Sequence, residues 1–104
     1  MATYGKMDSY GNKYSLADMT WEKDGDGLMV RSIFKMIPSV HAFNPMKKYA
    51  LTLDGGLNYT GLFRYYIYKK EKLDSPLIRV YLEFKIDEGV IVIPEDSVQG
   101  FVRV

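Results

Sequence analysis

Cysteine is absent from this 104-residue chain, and histidine and tryptophan each occur only once. The absence of cysteine excludes disulfide bonds, thiolate nucleophiles and cysteine-ligated zinc sites. It is also typical of proteins from reducing compartments, so we expect a cytoplasmic location.

Long apolar runs are absent as well. The apolar stretches are short, such as Leu28–Val30 and Val90–Ile93, whereas a membrane helix needs about 20 residues. The first residues, Met-Ala-Thr-Tyr-Gly-Lys, contain no apolar segment of the kind that marks a signal peptide. We therefore expect no association with a membrane.

Catalytic motifs are scarce. The single histidine, His41, falls in a predicted loop, and a catalytic histidine needs a nucleophile or an orienting carboxylate close in space. The segment Asp54-Gly55-Gly56 lacks the spacing and the following helix of a phosphate-binding loop. Adjacent carboxylates occur at predicted turns, where acidic residues are common. The sequence therefore predicts a protein that is not an enzyme and has no cofactor.

One acidic segment resembles the first half of an EF-hand calcium loop. In that alignment Glu22, Asp24 and Asp26 take the first, third and fifth positions, and Gly27 takes the sixth. The twelfth position, which must supply a bidentate carboxylate, is Ile33. Because a turn rich in Asp and Gly explains the same residues, we predict no metal site.

The length of the chain corresponds to one ordinary domain. We predict a single β-rich domain over residues 14–104, preceded at 1–13 by a loose arm or an edge strand. Short strands separated by turn signals indicate a mainly β fold. The prediction is a small antiparallel barrel or sandwich of about five to seven strands, with an OB-like barrel as one form, and at most one or two short helices.

The strands are marked most clearly in the second half of the chain. Lys48–Leu53 and Leu57–Lys69 flank the glycine-rich turn and predict a hairpin. Leu77–Ile86 alternates apolar and polar residues, which predicts an antiparallel strand with one buried face. Its core face would carry Ile78, Val80, Leu82, Phe84 and Ile86.

Other segments are less regular. Val90–Ile93 is apolar on both faces, which predicts a central strand. A single helical turn within 94–100 and a final strand at 101–104 are expected. Residues 15–37 fit either a helix or strands; for Leu28–Ile37 we favour the strand, because it is rich in β-branched residues and follows a turn.

Charge is distributed unevenly although the net charge is only +1. Residues 27–82 contain nine Lys/Arg and three Asp/Glu, a net charge of +6, and the flanking segments contain five and ten, a net charge of −5. Such an asymmetry is typical of a polar face that meets a partner.

The strand register predicts where that face lies. If Phe63, Tyr65, Ile67 and Lys69 face the core, the alternate residues of this strand lie outward beside the polar face of Leu77–Ile86. Tyrosine gives a large contact area at a low entropic cost and is enriched in interfaces, although it is also common on the solvent face of sheets. The predicted binding residues are Arg64, Tyr66, Tyr68, Lys70, Arg79, Tyr81 and Lys85.

Two functions fit this face. The first is a non-enzymatic protein-interaction module, such as a small inhibitor, an adaptor or a self-assembling subunit, whose partner is another protein or a second copy of the chain. The alternative is a single-stranded nucleic-acid-binding protein, because cations and aromatic platforms hold single strands. The small basic excess and the nearby acidic residues favour the protein partner. Those residues are Glu83, Asp87, Glu88, Glu95 and Asp96.

Overall fold

The computed structural model describes residues 5–7, 13–16 and 19–104. These residues form nine strands, all antiparallel, and two 3-10 turns at Asp54–Gly56 and Glu95–Ser97. The strands are β1 (Gly5–Met7), β2 (Lys13–Ser15), β3 (Glu22–Asp24), β4 (Gly27–Ser32), β5 (Lys48–Leu53), β6 (Asn58–Lys70), β7 (Arg79–Ile86), β8 (Gly89–Pro94) and β9 (Val98–Arg103). The prediction of a small, mainly β, antiparallel domain is confirmed.

The strands belong to two sheets. β1 and β2 form a separate hairpin, and the other seven form one sheet. Most of the predicted arm at 1–13 lies outside the described residues, and the part that is described contributes β1 and the first residue of β2. No helix among the described residues is long and apolar enough to cross a membrane.

The long strand β6 organises the larger sheet. One of its edges pairs first with β5 and then with β4, and its other edge pairs with β7. β8 continues the meander beyond β7, and β9 returns to pair with β5. In the described part of the chain, β3, β8 and β9 each pair with a single neighbour.

Glycine is needed where β5 turns into β6. Gly55 and Gly56 have φ values of 78° and 79°, which side chains with a Cβ rarely adopt. Farther along β6, a Cβ on Gly61 would lie 2.7 Å from the backbone oxygen of Lys85. The predicted turn and its two strands are therefore confirmed, and β6 begins within one residue of the predicted position.

A β-bulge at Arg64 interrupts the ladder between β6 and β7. Phe63 lies opposite Phe84 and Tyr65 lies opposite Glu83, so Arg64 has no residue opposite it. One extra residue in a strand moves every later side chain to the other face. The bulge therefore reverses the two faces of β6 from Tyr65 onward.

This reversal corrects the predicted register. Phe63 faces the core, as expected, but beyond the bulge the core side chains are Tyr66 and Tyr68 rather than Tyr65 and Lys69. The core face predicted for β7 is confirmed at Leu82 and Phe84, which are fully buried, and at Ile78 and Val80, which pack against the core.

Aromatic rings fill the centre of the core. The Phe43 ring stacks on Phe63 with centroids 5.3 Å apart and meets Phe84 edge to face at 5.4 Å. Burying each such side chain contributes about 1.5–3 kcal/mol. Phe43 belongs to an irregular segment at 33–47, which follows β4 and covers one side of the sheet. The strand expected at Leu28–Ile37 is confirmed only as far as Ser32.

The prediction that Val90–Ile93 forms a central strand is wrong. β8 pairs only with β7 among the described strands, and Val90 and Val92 are 51% and 48% exposed. Of this run, only Ile93 is buried in the core. An apolar run alone does not distinguish a central strand from an edge strand, because strand order depends on pairings between distant residues.

Candidate functional site

Two of the predicted binding residues are inside the protein. Tyr66 and Tyr68 are 1% and 0% exposed, so the prediction that places them on an outward face is wrong. The bulge explains the error, since it turns both rings into the core. Of the other predicted residues, Arg79 and Lys85 are exposed, and Arg64, Lys70 and Tyr81 are half-buried.

The buried tyrosines hold the irregular segment at 33–47, which we call the tyrosine-bound loop. The Tyr68 hydroxyl accepts a hydrogen bond from the backbone N–H of Met36 at 2.7 Å and donates one to the carbonyl of Phe34 at 2.7 Å. A hydroxyl that both donates and accepts has replaced the water it lost on burial. Tyr68 is therefore a structural residue.

Tyr66 repeats this arrangement at the other end of the loop. Its hydroxyl accepts from the backbone N–H of Phe43 at 2.8 Å and donates to the carbonyl of His41 at 2.9 Å. The Tyr49 hydroxyl accepts from the N–H of Asn44 at 2.8 Å. Burial raises the pKa of Tyr66 to about 12 and also raises the pKa of Tyr68, because the phenolate would lose its hydration.

The outward face, meaning the side of the sheet opposite the core, carries different tyrosines. The Arg64 guanidinium lies 5.6 Å from the ring centre of Tyr65. The ammonium of Lys69 lies 5.0 Å from the ring centre of Tyr81 and 3.3 Å from a carboxylate oxygen of Asp24. Such cation–π contacts stabilise by about 0.5–1 kcal/mol at exposed sites. Sequence reasoning missed Tyr65 and Lys69 because it placed them in the core.

The middle of the outward face consists of buried side chains that a ligand cannot reach. Ile67 is buried there, and the buried carboxylate of Glu83 lies 3.5 Å from Nε of Arg64. Accessible groups are therefore concentrated toward two ends of this face: the connection between β6 and β7, and the exposed valines of β8.

A cleft of about 550 Å³ lies at the first of these ends. It brings together three of the predicted residues, Lys70, Arg79 and Tyr81, whereas Arg64 and Lys85 do not line it. Four cations and three carboxylates surround it. The lining residues are Asp24, Asp26, Gly27, Leu28, Lys69, Lys70, Glu71, Lys72, Arg79 and Tyr81.

Lys70 connects the cleft to the single tryptophan. Its ammonium lies 4.1 Å from the ring centre of Trp21 and donates a hydrogen bond to the carbonyl of Leu73 at 2.8 Å. The tryptophan ring is half-buried and packs against the core. A ligand that displaces the Lys70 side chain would therefore change the environment of Trp21.

A second cavity, of about 420 Å³, lies beside the tyrosine-bound loop. Its walls are mainly apolar and include Phe34, Phe43, Pro38 and Pro45. Only Lys35 brings a charge, and its ammonium donates to the carbonyl of Pro38 at 3.1 Å.

His41 has a carboxylate beside it. Oε1 of Glu95 lies 2.7 Å from Nδ1 of His41. The same oxygen accepts a hydrogen bond from the backbone N–H of His41 at 2.8 Å. Nδ1 itself has no aligned hydrogen-bond partner. The ring also meets Phe101 edge to face at 5.4 Å. These contacts attach the tyrosine-bound loop to the 3-10 turn before β9.

Metal ligands are not gathered anywhere in the described ranges. Among those residues, no three or more His, Asp or Glu side chains lie close enough together to hold a metal ion. The carboxylate of Asp24 faces Lys69, and Asp24 and Gly27 are paired across the tight turn between β3 and β4.

Comparisons with protein-family models, curated proteins and solved structures found no match for this chain.

Proposed function

We propose that this protein is a non-enzymatic protein-interaction module, acting as a small inhibitor or adaptor, and that it binds polypeptide segments of mixed charge in the cleft beside Tyr81. One observation carries the proposal: four cations and three carboxylates surround a cleft that includes Tyr81. Tyrosine and arginine are enriched among the residues that dominate binding energy in protein interfaces.

The mixture of cations and carboxylates around the cleft favours a polypeptide as its ligand. A segment with both acidic and basic side chains can pair with Arg79 and Asp26, which are both exposed. Charge complementarity of this kind determines partner choice and orientation more than affinity. A polyanion would meet the Lys and Arg side chains favourably, but it would be repelled by the three carboxylates of the same cleft.

The alternative is single-stranded nucleic-acid binding in the same cleft. Lys70, Lys72 and Arg79 line the cleft together with Tyr81, and cations beside an aromatic platform are the usual means of holding a single strand. Such binding should weaken steeply with added salt, because it releases counterions from the phosphates.

Trp21 fluorescence can distinguish the two functions. We expect an alternating glutamate–lysine octapeptide to change the emission in a saturable way, because occupation of the cleft moves Lys70 from the Trp21 ring. Oligothymidylate at low salt should bind more weakly. Saturable binding of oligothymidylate alone, with a steep salt dependence, would favour the alternative.

A pair of variants assigns the binding to the cleft. Tyr81→Ala should weaken octapeptide binding about tenfold, a loss typical of an interface residue that contributes more than 1 kcal/mol. Tyr65→Ala is the matched control, since Tyr65 is an outward tyrosine that does not line the cleft. An equal response to both variants, or no response to the octapeptide, would contradict the proposal.

A further inference from the structure

Over residues 90–93, the outer edge of β8 lacks the protection that edge strands usually have. No strand of the described ranges pairs with that edge. Natural edge strands carry charges, prolines or bulges that prevent pairing with another chain. In β8 the four residues before Pro94 are Val90, Ile91, Val92 and Ile93, and the ladder with β7 is regular over them. The backbone of this edge is therefore ready to pair with another strand.

The side chains next to this edge are apolar. Val90 and Val92 lie on the outward face, opposite Lys85 and Glu83 of β7, and about half of each valine is exposed. An added strand would cover both valines while its backbone completed the ladder. Main-chain hydrogen bonds supply the affinity in this mode of recognition, and alternate side chains supply the specificity.

Carboxylates stand at both ends of the apolar run. Asp87 and Glu88 form the turn before β8, and Glu95 and Asp96 follow it in the 3-10 turn. At about 3.3 Å per residue, the two acidic pairs are separated by roughly 20–25 Å along the strand. Asp87, Glu88 and Asp96 are exposed.

These carboxylates argue against a second copy of the chain as the occupant. Two copies of β8 paired antiparallel about Ile91 would keep all their exposed valines on one face. The same register would bring the exposed Asp87 and Glu88 of each copy toward the exposed Asp96 of the other. Like charges opposite each other destabilise a ladder. A strand with cations at its ends would instead be attracted at both.

We propose that the outer edge of β8 binds an extended segment of a partner protein, with an apolar, β-branched centre and Lys or Arg at both ends, as an additional strand of the sheet. No residue of β8 lines the cleft beside Tyr81, so the inference goes beyond the proposed function.

Two synthetic peptides test the proposal with the full chain. KKTVTVTKK, blocked at both termini, should bind and slow amide hydrogen exchange within residues 89–93. EETVTVTEE has the same centre and should bind at least tenfold more weakly. Equal binding of both peptides, binding of neither, or protection elsewhere than 89–93 would overturn the proposal.

Matched lysine substitutions locate the binding edge. Val92→Lys should reduce the affinity for KKTVTVTKK at least tenfold, because it places a cation on the edge. Val102→Lys adds the same charge on β9, at a side chain that is 64% exposed, and should leave the affinity unchanged. An equal loss in both variants, or none in Val92→Lys, would overturn the assignment to β8.

A second set of variants covers the charge argument and the choice of occupant. Asp87→Asn with Glu88→Gln, in an exposed turn, should lower the affinity three- to tenfold without altering the fold, and an unchanged affinity would overturn the proposed role of the carboxylates. Arg79→Ala, at a cleft residue that pairs with Lys69 of β6 and not with β8, should leave peptide binding unchanged, so failure here is distinct from failure of the cleft. Sedimentation should show a monomer; a dimer that Val92→Lys dissociates would make a second copy the occupant and overturn the proposal.

Discussion

The two faces of β6 use tyrosine in opposite ways. On the inner face, Tyr66 and Tyr68 are buried, and their hydroxyls bind the backbone of a distant loop. On the outward face, Tyr65 lies beside a cation, as does Tyr81 of the neighbouring strand. The residue type is the same and the strand is shared, so the difference comes from register alone. The role of a tyrosine in such a sheet is determined by the bulge at Arg64.

Insertion of one alanine between Glu83 and Phe84 is the most severe way to break this comparison. With a residue opposite Arg64, a regular ladder beyond Phe63 would place Tyr65 and Lys69 on the core face and turn Tyr66 and Tyr68 outward. We expect the loss of a cooperative unfolding transition, measured by circular dichroism during thermal denaturation.

The control for this insertion keeps the residue count and removes the charge of Arg64. Arg64→Ala retains the bulge and loses only the contacts with Glu83 and Tyr65. Its cost should be about 1–3 kcal/mol, because the buried Glu83 carboxylate loses its cation. If the insertion variant unfolded no more readily than Arg64→Ala, the bulge would not be determining the two faces.

Tyr68→Phe should have the next largest effect. It removes a buried hydroxyl that serves two backbone groups of the tyrosine-bound loop and leaves the ring in place. We expect a loss of about 2–3 kcal/mol in the free energy of unfolding, measured by urea denaturation.

Tyr65→Phe is the matched change on the outward face. No hydrogen bond of its hydroxyl is part of the described network, and the substitution should change the free energy of unfolding by less than about 0.5 kcal/mol. Similar costs for the two substitutions would remove the distinction between the faces.

Alkaline pH tests the role of the buried tyrosines without a mutation, because it lowers the free energy of unfolding through their ionisation. The pKa of Tyr66 is raised from 10.0 to about 12, so the folded state favours the neutral phenol. The resulting stability is complete below pH 10 and is lost as the pH rises from 10 through about 12. A shift of this size corresponds to roughly 2–3 kcal/mol.

Urea denaturation at several pH values between 9 and 12 measures this effect. Stability should fall across the range, and Tyr66→Phe should be less stable at pH 9 but decline less steeply. A decline of unchanged slope in Tyr66→Phe would mean that other groups are responsible.

Lys69→Met should have a smaller effect than Tyr68→Phe. It retains an apolar side chain and removes the contacts of the ammonium with Tyr81 and Asp24, which are partly exposed. We expect a loss of about 0.5–1 kcal/mol that diminishes in high salt. A larger, salt-independent loss in urea denaturation would indicate that Lys69 is part of the core packing.

Local patterns were sufficient to predict much of this fold. The alternation in β7 and the Asp-Gly-Gly turn depend on neighbours in the sequence, and both were predicted correctly. The bulge could not be predicted from the sequence. Phe63, Tyr65 and Tyr66 supply aromatic residues at both odd and even positions, so either face of the strand could have been the core face. No glycine or proline marks Arg64. Tyrosine also suits either face, since its ring can be buried while its hydroxyl finds a partner.

The candidate sites were predicted only in part for the same reason. The cleft combines the turn before β4 with the connection after β6, which are more than forty positions apart. The sequence marked both as polar but could not show that they meet. The position of β8 at an edge likewise depends on the complete strand order, whereas its apolar composition is local.

The tyrosine-bound loop has a consequence for the order of folding. Its hydrogen bonds to Tyr68 and Tyr66 join residues 32 and 23 positions apart, and the hydroxyls reach their places only when β6 is already paired. We therefore expect the loop to dock after the transition state, so that its bonds slow unfolding and leave the folding rate nearly unchanged. The hydroxyls of two side chains would then determine how long the native state lasts rather than how quickly it forms.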